Sequence, residues 1–135
     1  MEADLVITGK IISGAGEGAY FTQIAWVQQQ CEAKLGFKPY PGTLNLEISA
    51  ENLSIVESLD QKKTGIELIS PDPNFCNARV FAVSLGEISG AIILPEEKVR
   101  VHSKNIIEII APLSIKASLN VKDGDFILFT INLVS

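Results

Sequence analysis

The chain has 135 residues, 47% of them hydrophobic, 20% charged and 7% aromatic. This suits a single folded domain over 1–135 and excludes a disordered chain. Eleven basic against sixteen acidic residues give a net charge of −5, which argues against a general nucleic-acid binder. No apolar run approaches the roughly 18 residues of a membrane span. Met1-Glu2-Ala3-Asp4 lacks the basic start of a signal peptide, and Cys31 and Cys76 stand apart without metal-site spacing, so a reducing cytoplasm is the expected location.

Leu5-Val6-Ile7 and Ile11-Ile12 read as a first strand, interrupted at Gly9. Ile24, Val27, Cys31 and Leu35 fall at spacings of three, four and four, which predicts a helix over 22–35 with Thr22 as its cap and Gly36 as its left-handed end. Thr43 to Ile48 alternates polar and apolar residues and predicts a half-buried strand. The polar stretch 49–63 is open between a short helix and a loop. Arg79–Leu85, Gly90–Leu94 and Phe126–Val134 read as further strands, with turns at Gly86 and at Lys122-Asp123-Gly124-Asp125, and Ile106 to Ile110 reads as a buried stretch with Glu108 in its middle. Short strands around one inserted α-helix predict a mainly β fold, a small barrel.

Three segments carry candidate chemistry. In Ser13-Gly14-Ala15-Gly16-Glu17-Gly18-Ala19-Tyr20-Phe21, glycines alternate between a strand and a helix. They free successive N–H groups to turn toward one point, where such a loop can cradle a phosphate beside the positive helix end; a glycine-rich strand–helix turn without a ligand is the other reading. The spacing fits neither the dinucleotide fingerprint nor the Walker loop. In Leu35-Gly36-Phe37-Lys38-Pro39-Tyr40-Pro41-Gly42-Thr43-Leu44-Asn45, a rigid turn leads into Thr43 and Asn45 on one strand face. These neutral oxygen donors suit Mg²⁺ compensated by substrate phosphates; an ordinary edge strand with one polar face is the other reading. In Ile106-Ile107-Glu108-Ile109-Ile110-Ala111-Pro112, a carboxylate among isoleucines must face solvent or serve a site. His102, between Arg100 and Lys104, reads as a solvated surface residue, and Trp26 as packing.

Together with Leu119-Asn120-Val121-Lys122-Asp123-Gly124-Asp125, these segments resemble the archaeal CTP-dependent riboflavin kinases from about Gly9 to Ile127. The resemblance implies a six-stranded cradle-loop barrel that moves the γ-phosphate of CTP to the 5′-hydroxyl of riboflavin, giving FMN and CDP. It implies that Gly14, Ala15, Gly16, Glu17, Gly18 and Ala19 wrap the nucleotide, and that Leu113, Ser114, Ile115 and Lys116 close over it. Thr43 and Asn45 would hold Mg²⁺ between the phosphates, and Glu108 would bind the flavin. Glu108 is also the one acid nominated to accept the hydroxyl proton.

Three positions depart from the family. Arg100 stands where a flavin-contacting threonine is usual, Ala19 where a basic residue is common, and the closing segment keeps one basic residue, Lys116, where two are usual. These departures leave open a non-catalytic sensor of nucleotide or flavin on the same barrel. No side chain in the sequence marks a choice between CTP and ATP, and none marks an oligomeric state.

Overall fold

The computed structural model describes residues 4–13, 21–61, 65–71, 77–95 and 105–132. The glycine segment 14–20, Cys76, Arg100 and His102 lie outside them. Seven strands follow in chain order: β1 (Leu5–Ile12), β2 (Leu44–Glu47), β3 (Ile66–Leu68), β4 (Ala78–Leu85), β5 (Ile88–Pro95), β6 (Ile106–Ile110) and β7 (Phe126–Ile131). The sheet order is β3-β4-β5-β6-β2-β1-β7, and a further β4–β7 pairing at Val83↔Ile131 and Ser84↔Thr130 closes it. The result is a six-stranded antiparallel barrel with β3 appended to β4, as the sequence predicts in kind. Closure leaves β3 as the sheet's outer edge. Gln30 and Lys34 cover it by bonding to the backbone of Ile69 and Glu67, which blunts an exposed strand edge.

The helices are α1 (Ala25–Leu35), α2 (Ala50–Gln61) and α3 (Ile115–Leu119). The inserted helix is therefore joined by two others. Residues 50–61 resolve the open stretch as helix, with Val56 buried. Gly36 ends α1 at φ 87°, its N–H reaching the Cys31 and Glu32 carbonyls, as expected. The start of α1 differs from expectation: Ile24 is the cap residue and no side chain caps it. Thr22 is occupied elsewhere, as described below. Gly9 does not interrupt β1, which runs through it; a Cβ there would lie 3.0 Å from Leu46 Cβ.

Alternation divides the apolar residues between two cores. Ile7, Leu46, Val83, Ile92, Ile109 and Phe129 belong to the barrel's own core. The other strand face carries Ala78, Val80, Ala91, Ile93 and Ile110, which α1 covers with Val27 and Cys31. Trp26 packs at this second core, edge-on to Phe21 with ring centroids 6.1 Å apart. Burial pushes the Cys31 thiol up to about 11, against a smaller opposing effect of Lys34.

Candidate functional site

The site is built where β2 and β6 pair. The register sets Asn45 opposite Glu108, and Glu108 opposite Ile93 on β5. Cross-strand partners share a face, so Asn45, Glu108 and Ile93 form one row on the wall that α1 covers. Thr43, just before β2, joins the row: its Oγ1 donates to Glu108 Oε1 at 2.8 Å. All three polar side chains are half-buried. With its proton committed to the carboxylate, the Thr43 hydroxyl keeps lone pairs for an electrophile. The Asn45 amide donates through Nδ2 to the Thr43 carbonyl at 3.4 Å, a long contact that leaves Oδ1 as the acceptor end.

This donor set fits a hard cation that brings its own anionic ligands. Two neutral oxygens, from Thr43 and Asn45, stand beside one carboxylate, and among the described residues no group of three or more His, Cys, Asp or Glu gathers for a metal. Such a set is too weakly charged for a dedicated all-protein cage and suits Mg²⁺ shared with phosphates.

An open cleft of about 140 Å³ adjoins it, lined on one side by Tyr40 to Leu44 and on the other by Ile109, Ala111 and Leu113 to Lys116. The two walls are tied by the Tyr40 N–H, which donates to the Ala111 carbonyl at 2.7 Å. Ser114 caps α3 by accepting from the Ala117 N–H, and Ile115 is buried, so Lys116 is carried on an anchored turn. Lys116 Nζ meets Asp123 Oδ1 at 2.6 Å. Asp123 also accepts from Ser13 Oγ, the residue directly before the glycine segment. The bonds from Lys116 and then Ser13 hold the Asp123 carboxyl below its ordinary value. The same turn grips the end of β1, through Ile11 N–H to Asp125 O and Gly124 N–H to Ile11 O, each at 2.8 Å. The end of β1 and the closing segment are thus linked around one aspartate.

Of the expected site residues, Thr43, Asn45 and Glu108 come together, and Leu113 to Lys116 flank the same cleft as Thr43. Gly14 to Ala19 lie outside the described residues. Sequence reading missed Tyr40 as a cleft wall, and Gln28 and Thr22 as anchors of the Thr43 turn. A fully buried threonine beside a glycine-rich segment is a signal only once its distant partner is known.

Residues 11–131 match the family model CTP-dep_RFKase, described as a domain of unknown function, DUF120. The chain belongs to this family. Relatives include proteins named riboflavin kinase from Archaeoglobus fulgidus (37% identity; 93% of this chain, 54% of the relative) and from Pyrobaculum aerophilum (35%; 93% and 60%). Another, from Thermococcus kodakarensis, is 36% identical over 89% of this chain and 56% of its own length. The chain thus spans somewhat more than half the length of these relatives. The matched region runs from the last residues of β1 to the end of β7. No helix among the described residues is long and apolar enough to cross a membrane.

Proposed function

We propose that this barrel is a CTP-dependent riboflavin kinase, transferring the γ-phosphate of CTP to the riboflavin 5′-hydroxyl to yield FMN and CDP. The observation that carries this reading is the meeting of Thr43, Asn45 and Glu108 beside a cleft that Thr43 and Lys116 line. Membership of the family and the names of its relatives supply the substrate classes.

In this reading Thr43 Oγ1 and Asn45 Oδ1 would hold Mg²⁺, which would supply charge neutralisation at the phosphates and polarisation of the transferring group. The protein's own work is positioning and electrostatics, because phosphoryl transfer asks for little covalent help. Gly14 to Ala19 would wrap the nucleotide, as in the family that the chain resembles, and Leu113 to Lys116 would cover it. Lys116 is the cation of that segment, and Asp123 sets where its Nζ stands. Glu108 orients the Thr43 hydroxyl by accepting its hydrogen bond, would bind the flavin, and is the carboxylate available to accept the proton of the 5′-hydroxyl.

Substitution of Thr43 tests the reading. Thr43→Ala removes a metal donor and one partner of Glu108 from a half-buried position. We expect loss of FMN formation with the melting temperature nearly unchanged. Full activity in Thr43→Ala, or its failure to fold, would contradict the metal role; an inactive natural protein would favour a non-catalytic binding module on the same barrel.

A further inference from the structure

Thr22 is the one fully buried polar side chain among the described residues, at 0% exposure. A hydroxyl so buried requires partners, because an unpaired one is costly. Its Oγ1 accepts the N–H of Gly42 at 2.9 Å, across 20 residues of chain. Gly42 has φ +109°, a left-handed conformation that side-chain-bearing residues avoid. Its N–H therefore sits in a turn that no strand ladder satisfies. Gln28, on the second turn of α1, completes the anchor. Its Nε2 donates to the Pro39 carbonyl at 2.9 Å and also to the Thr22 carbonyl. Both hydrogens of that amide are spent holding the entrance to α1 and the Pro39–Gly42 turn together.

We infer that Thr22 and Gln28 are positioning residues for the site: they lock the turn that presents Thr43, and so set the affinity for Mg²⁺ and nucleotide. Thr43 is bonded to Gly42, the residue Thr22 fixes, and its hydroxyl must reach Glu108 on another strand. Neither Thr22 nor Gln28 lines the cleft. Thr22 also follows the glycine segment by two positions in the chain. The inference rests on the kinase reading for its catalytic consequence, but its structural half does not.

The test uses Thr22→Val, which keeps shape and removes the acceptor, Thr22→Ser, which restores it, and Gln28→Met. Hydrogen exchange of the Gly42 amide is read by NMR in each. The Mg²⁺ concentration for half-maximal FMN formation and its kcat are read alongside. Thr22→Val should speed Gly42 exchange about tenfold and raise the Mg²⁺ requirement by a similar factor, with kcat at saturating Mg²⁺ changed little. Thr22→Ser should restore both, and Gln28→Met should move both in the same direction as Thr22→Val. Unchanged Gly42 exchange in a folded Thr22→Val protein would overturn the inference whatever the natural protein's activity. Faster exchange with an unaltered Mg²⁺ requirement would also overturn it, leaving Thr22 a purely structural residue. If Thr22→Val fails to fold, the same two readings on Gln28→Met decide. Absence of FMN from the natural protein is a separate result, which sinks the kinase reading while Gly42 exchange still reports on the anchor.

Discussion

Thr43 Oγ1 donates to Glu108 Oε1 at 2.8 Å although 65 residues of chain separate them. The bond spans the β2–β6 pairing, where Asn45 faces Glu108 directly. The residue proposed for the metal and the one proposed for the flavin are therefore joined by a direct hydrogen bond.

Glu108→Gln separates charge from geometry at this pair. Glutamine keeps an oxygen to accept from Thr43, so the melting temperature should barely move. The lost charge and proton acceptor should lower kcat by about a hundredfold. Steady-state kinetics beside thermal unfolding checks it, and a Gln variant with full kcat would remove Glu108 from the chemistry.

Asn45→Ala removes a neutral donor and no charge. The expected result is a rise of about tenfold in the Mg²⁺ requirement, largely recovered at saturating Mg²⁺. A metal titration of FMN formation reads this directly.

Asp123 holds Lys116 and Ser13, and its carboxyl lies below its ordinary value. A lowered folded-state value means that its contribution is present above pH 3.8, the ordinary value, and is lost as the pH falls through the folded-state value. The stability difference between the natural protein and Asp123→Asn should therefore be visible at neutral pH and vanish in strong acid. Because the pair is exposed, added salt should shrink it. Thermal melts across pH and ionic strength check both.

Gly90 is buried in β5, where an added Cβ would stand 2.6 Å from the Ile110 carbonyl oxygen. That atom is backbone in the neighbouring β6 and cannot swing aside. Gly90→Ala should cost about 1–3 kcal/mol, read as a lower denaturant midpoint with an unchanged slope.

How legible all this is from the sequence depends on how local the signal is. Val27, Cys31 and Gly36 mark α1 because helical spacing and a left-handed end are local features. Thr22 looks like a cap for the same local reason, yet its hydroxyl is taken by Gly42, a partner that only the fold supplies. β3 has three residues and α3 five, too few for a period to show. Residues 50–61 are largely polar, and their helical face rests on Val56 with Leu53 and Leu59 beside it. At the site, residue chemistry alone marks Thr43 and Asn45 as weak oxygen donors, and Glu108 as a carboxylate in need of a reason. Their meeting is set by strand register across more than sixty residues, which no spacing rule reveals.

The central claim is phosphoryl transfer from CTP to riboflavin, and product analysis tests it most directly. The purified protein is incubated with riboflavin, Mg²⁺ and either CTP or ATP, and the flavins are separated by chromatography with fluorescence detection. The account predicts FMN with CTP and none with ATP or after chelation of the metal. No FMN from either nucleotide, in protein shown to be folded, would contradict it.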